Sequence, residues 1–273
     1  MLTTYARAAL PLVPLASRLP FVAGGGGDMP QDLERTRTAT TDTGALAAYA
    51  KVCGFRLGDT VPPTWPHILA FADHMSLMTD GRFPFQAIGL VHVANRIEQR
   101  RAIGVGEELE LTVRPTAVEP HPKGKAFSLV TEAAVGGEVV WVETSTMLHR
   151  GGGSGEERGP REAAEPLEPT ATWKLPGDLG RRYAGVSGDS NPIHLHPLTA
   201  KAFGFPRAIA HGMWTKARAL AALEGRLADA FTVEVEFKRP VLLPATVTFA
   251  VAGDRFEVRD KRKQTPHLEG RLS

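Results

Sequence analysis

Cysteine is almost absent. Cys53 is the only one in 273 residues, so no disulfide can close within the chain. A reducing compartment suits it, and the cytoplasm is the expected location. Aromatic residues make up only 7%, too few for a base-stacking surface, and a formal net charge of +2 gives no basic footprint for nucleic acid. Long apolar runs are missing as well. The stretch from Ala8 to Leu19 is broken by Pro11 and Pro14, which leaves it too short for stable membrane insertion and too interrupted for a secretory signal. Residues 1–30 are expected to form an arm on the folded body, through which loose membrane association stays open. Several chemical motifs are also lacking. There is no His-Glu-x-x-His, no Cys pair, no Gly-x-Ser-x-Gly elbow and no Gly-x-Gly-x-x-Gly helix start. What remains is a globular composition, 42% hydrophobic and 23% charged, long enough for two ordinary domains.

The informative stretch is 183–200, Tyr-Ala-Gly-Val-Ser-Gly-Asp-Ser-Asn-Pro-Ile-His-Leu-His-Pro-Leu-Thr-Ala, followed by Ile209-Ala210-His211-Gly212-Met213. Ser187 to Pro192 is turn chemistry. Asn191 precedes a proline and is biased away from helix. Asp189 and His194 are five apart, a spacing that does not share a helix face. A bend at 189–192 can bring the two side chains back together, where a carboxylate and an imidazole could hold one water. Gly212 opens an expected helix to Leu223, and its unpaired N–H could face a carbonyl oxygen. Asp189 and Asn191 as mere loop-shaping residues would account for a bare Gly-Asp-x-Asn-Pro, but the pattern here is far longer.

That pattern resembles the hydratase-2 signature of the MaoC-like family of R-specific enoyl-thioester hydratases and dehydratases. The resemblance rests on Tyr183, Val186, Ser187, Gly188, Asp189, Asn191, Pro192, Ile193, His194 and Ala200, with Ala-His-Gly-Met downstream. It implies that Asp189 and His194 are the catalytic pair and that the Gly212 N–H polarises a thioester carbonyl. Asn191, Ile209, His211 and Met213 would then bind substrate or support the pair. No cofactor is implied. The partner would be an acyl-CoA or acyl carrier protein thioester, and the reaction the interconversion of (3R)-3-hydroxyacyl and trans-2-enoyl thioesters in fatty-acid metabolism.

A Gly-, Pro- and charge-rich segment at 150–169 reads as a linker between two halves. On either side the same order of elements appears. Tyr49-Ala-Lys-Val-Cys-Gly54 echoes Tyr183-Ala-Gly-Val-Ser-Gly188. A helix-like stretch from Pro66 to Met78 matches the one from Gly212. Strands are expected at Val91–Glu98, Leu109–Arg114, Phe127–Val135 and Val139–Leu148, then at Phe231–Phe237, Ala245–Val251, Arg255–Arg259 and His267–Leu272. Asn95–Ile103 parallels Val235–Leu243. The expected architecture is α+β, a double hotdog in which each long helix is wrapped by an antiparallel sheet. Its units are a degenerate half at 31–149 and a catalytic half at 170–273. A homodimer of such chains is compatible with this. Aligned on Tyr-Ala, Phe55 takes the place of Asp189 and Thr60 that of His194. The first half thus lacks the pair, and Phe55 is expected to line the acyl tunnel, to sit in the core, or to do both.

His194 and His196, on an extended segment, would point to one side and suggest a metal, with His211 or Asp189 as further ligands; the missing zinc motifs argue against it. Lys238-Arg239-Pro240 and the basic run from Arg255 to Lys263 read as strand-edge features. A hotdog thioesterase and a non-catalytic acyl-thioester-binding subunit are the rival functions.

Overall fold

A computed structural model describes residues 27–87, 89–151 and 165–273. The run Ala8–Leu19 and most of the expected linker lie outside the described residues. The first half runs β1 (Arg35–Ala39), α1 (Thr43–Cys53), α2 (Trp65–Met78), β2 (Val91–Gln99), β3 (Leu109–Pro115), β4 (Glu119–His121), β5 (Gly124–Val135) and β6 (Glu138–Arg150). The second runs β7 (Pro169–Leu175), α3 (Leu179–Ser187), α4 (Pro192–Leu195), α5 (Pro197–Ala202), α6 (Gly212–Leu223), β8 (Phe231–Phe237), β9 (Ala245–Ala252), β10 (Arg255–Asp260) and β11 (Pro266–Leu272).

The strands form one sheet in the order β1-β3-β5-β6-β2-β8-β11-β10-β9-β7, with β4 paired to β5. Setting β4 aside, the halves read β1-β3-β5-β6-β2 and β7-β9-β10-β11-β8, which is the same path twice. They join through the antiparallel pair β2–β8. Asn95 lies opposite Val235, flanked by Ala94 opposite Glu236 and Arg96 opposite Glu234. The repeat read from Asn95 and Val235 is therefore a local two-fold. Helix α2 packs on β1, β3 and β5, and α6 packs on β10. The chain is a double hotdog. Among the described residues no helix is long and apolar enough to cross a membrane.

Local sequence explains the elements. In β8, Val233 and Val235 are buried while Glu234 and Glu236 face solvent, the alternation of a half-covered strand. Asp42 caps α1 by accepting from the Ala45 N–H at 2.7 Å, and Gly54 ends it at φ 86°. Gly188 ends α3 in the same way at φ 76°. Tyr49 and Tyr183, equivalent in the repeat, face each other with ring centroids 6.2 Å apart. Thr64 precedes α2 but does not cap it, because its hydroxyl bonds the Tyr49 hydroxyl at 2.7 Å.

The signature is helical through Ser187, and the chain bends from Gly188 up to α4, a stretch that spans the bend expected at 189–192. Two points differ from expectation. Pro169 is strand, not linker. Strands β1 and β7 and helix α1 were not anticipated.

Candidate active site

Helix α3 delivers the bend. After Gly188, the Ser187 hydroxyl accepts from the Asp189 N–H at 3.1 Å, and the Asp189 carboxylate accepts from the Asn191 N–H at 3.1 Å. Asn191 is extended at φ −56°, ψ 125°, and its side chain accepts from the Ile193 N–H, starting α4 at Pro192. These local bonds turn the chain within four residues. His194 is then fixed from behind. Its Nδ1 lies 2.8 Å from the Ile209 carbonyl, and the Ile209 N–H donates to the Ile193 carbonyl at 3.1 Å. Ala210 in turn donates to Val241, and Leu243 to Ala208, pinning residues 208–210 to the chain after β8.

A carbonyl oxygen only accepts, so His194 carries its proton on Nδ1 and leaves a lone pair on Nε2. Burial depresses its pKa, opposed by the Asp189 carboxylate and the Ile209 carbonyl. The ring is thus neutral near pH 7. His211 stacks on it, ring centroids 3.6 Å apart, and its Nε2 donates to the Asp189 carbonyl at 3.0 Å with a carboxylate oxygen of Asp189 at 3.7 Å. Burial pushes His211 down to about 3, with the neighbouring His194 adding to the shift. One ring nitrogen from each histidine and one Asp189 oxygen fall within 4.8 Å of one another, a spacing that could hold a metal ion. The His211 nitrogen facing Asp189 carries a proton, so it offers a donor there, not a lone pair.

His211 precedes α6 without capping it through its side chain. The ring is committed to Asp189, so the first turn of α6 keeps donors for a ligand. Gly212 opens that helix and lines the same cavity as Asp189 and His194. A Cβ at Gly212 would lie 3.1 to 3.3 Å from the Phe237 ring. The missing side chain leaves room for Phe237.

The cavity holds about 430 Å³ and draws its wall from both halves. Asn191, Ile209 and Met213 line it. Phe55 does not. It is buried against Tyr49, centroids 6.3 Å apart, so its role in the tunnel is withdrawn and the core reading stands. The bend that turns His194 inward leaves His196 exposed, where it caps α5 by accepting from the Leu198 N–H at 3.2 Å. It does not pair with His194 as a ligand. Lys238, Arg239 and Pro240 line the cavity, contrary to their reading as a plain strand edge.

Two features escaped the sequence reading. A Cβ at Gly180 would overlap the His194 carbonyl oxygen, with the carbonyl carbon at 2.9 Å. Glycine there lets α3 pack on α4. His67, His74 and His92 also line the cavity, from the half that lacks the pair. The spacing of His67 and His74 on one face of an expected helix was the available signal.

Residues 161–271 match the MaoC like domain. The chain is 41% identical to 3-hydroxyacyl-thioester dehydratase X of Mycobacterium tuberculosis over 96% of its own length and 93% of that protein's. The crystal structure of that dehydratase superposes with a TM-score of 0.77, covering 87% of this chain and 99% of the other. A MaoC-like dehydratase from Phytophthora capsici, 20% identical, superposes at 0.68 over 88% of this chain and 95% of that one, a likeness of fold alone. The signature, the repeated sheet path and these matches agree, and the chain belongs to the MaoC-like dehydratase family.

Proposed function

We propose that this chain is a hydro-lyase that interconverts (3R)-3-hydroxyacyl and trans-2-enoyl thioesters, without a cofactor, in fatty-acid metabolism. Residues 170–273 would carry the chemistry, and 31–149 would shape the acyl end of the cavity. The observation that carries the reading is the neutral His194, its Nε2 lone pair and the Asp189 carboxylate lining one cavity.

In hydration, one member of the pair takes a proton from water as its oxygen bonds C3 of the enoyl group. The C2–C3 π electrons move towards the thioester carbonyl, whose oxygen becomes enolate-like. C2 then takes a proton from the pair, and both groups return to their starting states. Dehydration runs the same steps backwards. The Gly212 N–H, at the positive end of α6, would meet the developing oxyanion. A donor of this kind is worth about 3 kcal/mol. Addition of water is redox-neutral, so the steps call for no redox group. Arg239 in the cavity wall offers a positive charge to the phosphates of coenzyme A or of an acyl carrier protein. A cytoplasmic location and a homodimer of double hotdogs belong to the same reading.

The test is loss of the conjugated enoyl absorbance of crotonyl-CoA, with the handedness of the 3-hydroxy product. The reading expects the band to fall, with the R product and no free thiol. Released thiol would make the chain a thioesterase. An unchanged band with ligand bound would make it a binding subunit.

A further inference from the structure

Helix α2 turns His67, Phe71, His74, Met75 and Met78 towards the cavity. These positions recur at helical spacing and form one face. A wall meant only for hydrocarbon has no use for two imidazoles on such a face, and His92 of β2 adds a third.

The imidazoles are held by a buried polar network. His67 Nδ1 lies 2.8 Å from one oxygen of the fully buried Glu143. The other Glu143 oxygen accepts from the Asn95 amide at 2.7 Å, and that amide also donates to the Ser145 hydroxyl at 2.9 Å. Lys216, reaching over from α6, donates to the Asn95 side-chain oxygen. The Glu143 carboxyl stays ionised, held at about 2 by His67 against the cost of burial. It therefore only accepts, so His67 donates from Nδ1 and has Nε2 left for the cavity. His74 Nε2 pairs with the Thr131 hydroxyl at 2.7 Å. His92 Nε2 is buried with no hydrogen-bond partner in the protein. The His92 ring packs edge-on to Phe237, centroids 4.9 Å apart, and Phe237 is the residue that crowds Gly212. This polar wall is thus continuous with the thioester end.

A plain alkyl chain against His92 Nε2 and the outward nitrogen of His67 would leave them dry and unpaired, which is costly. A hydroxyl both donates and accepts, so it can satisfy either tautomer. A carboxylate is disfavoured, because Glu143 already stands ionised behind His67. We infer that the α2 wall of the cavity binds a hydroxyl carried on the acyl chain beyond the thioester's α and β carbons, so that the preferred substrate is a hydroxylated acyl thioester. This rests on the hydratase reading above.

The test uses the full-length protein and matched trans-2-enoyl-CoA pairs of equal chain length, one plain and one hydroxylated, with the hydroxyl moved along the chain. At one position the hydroxylated member should have kcat/KM at least about tenfold higher. His92→Leu should pull that ratio towards one, and His92→Gln should restore part of it. The ratio compares two substrates on one preparation, so partial misfolding cancels. A ratio at or below one for every position, with crotonyl-CoA still hydrated, would overturn this inference alone. No hydration of crotonyl-CoA would overturn the hydratase reading first. Stoichiometric zinc in the purified protein, lost in His74→Phe, would also overturn it, since His67, His74 and Glu143 stand close enough to be a cation site.

Discussion

Acidification asks His74 and His211 to take up protons that the folded chain refuses. Both are buried, and burial pushes each from the ordinary 6.5 down to about 3. Between those values the unfolded chain binds more protons than the folded one, so stability falls as pH falls through this window. At about pH 5 an unfolded histidine is almost fully protonated while these two remain neutral. The loss from pH 7 is then about 2 kcal/mol for each, about 4 kcal/mol together. That is a large share of the roughly 5–15 kcal/mol that holds a typical fold. Urea unfolding at the two pH values, followed by circular dichroism, measures it. The pH 5 midpoint should drop sharply, and His74→Gln should remove about 2 kcal/mol of the difference. Stability within about 1 kcal/mol at both pH values would refute the argument that these rings are held neutral by burial.

Other substitutions have definite expected outcomes. Gly180→Ala would favour helix by propensity, yet its Cβ overlaps the His194 carbonyl; α3 and α4 must part, so kcat should fall by roughly 100-fold in steady-state kinetics and the thermal melt should lose about 1–3 kcal/mol. Gly212→Val should lower kcat/KM more than Gly212→Ala, because Phe237 must move further into the cavity mouth; equal activity of both with wild type would remove the need for glycine there. Phe55→Ala should cost about 3–5 kcal/mol in the thermal melt, as a buried aromatic does, and leave the chain-length preference of the enzyme unchanged.

Much of the fold was legible because its elements carry strong periodic signals. The helix from Gly212 to Leu223 and the strand Phe231–Phe237 fall where the pattern placed them. Strand β1 was missed because it is an edge strand. Arg35-Thr-Arg-Thr-Ala39 buries only Ala39, so it shows no apolar alternation. The turn at Asp189 was legible because its hydrogen bonds are local, within two residues of Asp189 or Asn191. The stacking of His211 on His194 and the clearance at Gly180 come from contacts between distant segments, which spacing does not encode. Phe55 was misassigned because position in a repeat does not say which way a side chain faces. The α2 histidines were passed over because they match no catalytic spacing, and their meaning depends on a cavity shared by both halves.

The central claim is that Asp189 and His194 act on one water. Crotonyl-CoA hydration by Asp189→Asn, His194→Ala and the double variant tests it most directly, with circular dichroism confirming that each is folded. The account predicts that each single change lowers kcat by roughly 100- to 10,000-fold. It also predicts that the double variant is little worse than either single one, since the two groups work as a unit. Near wild-type turnover by either folded single variant would contradict it.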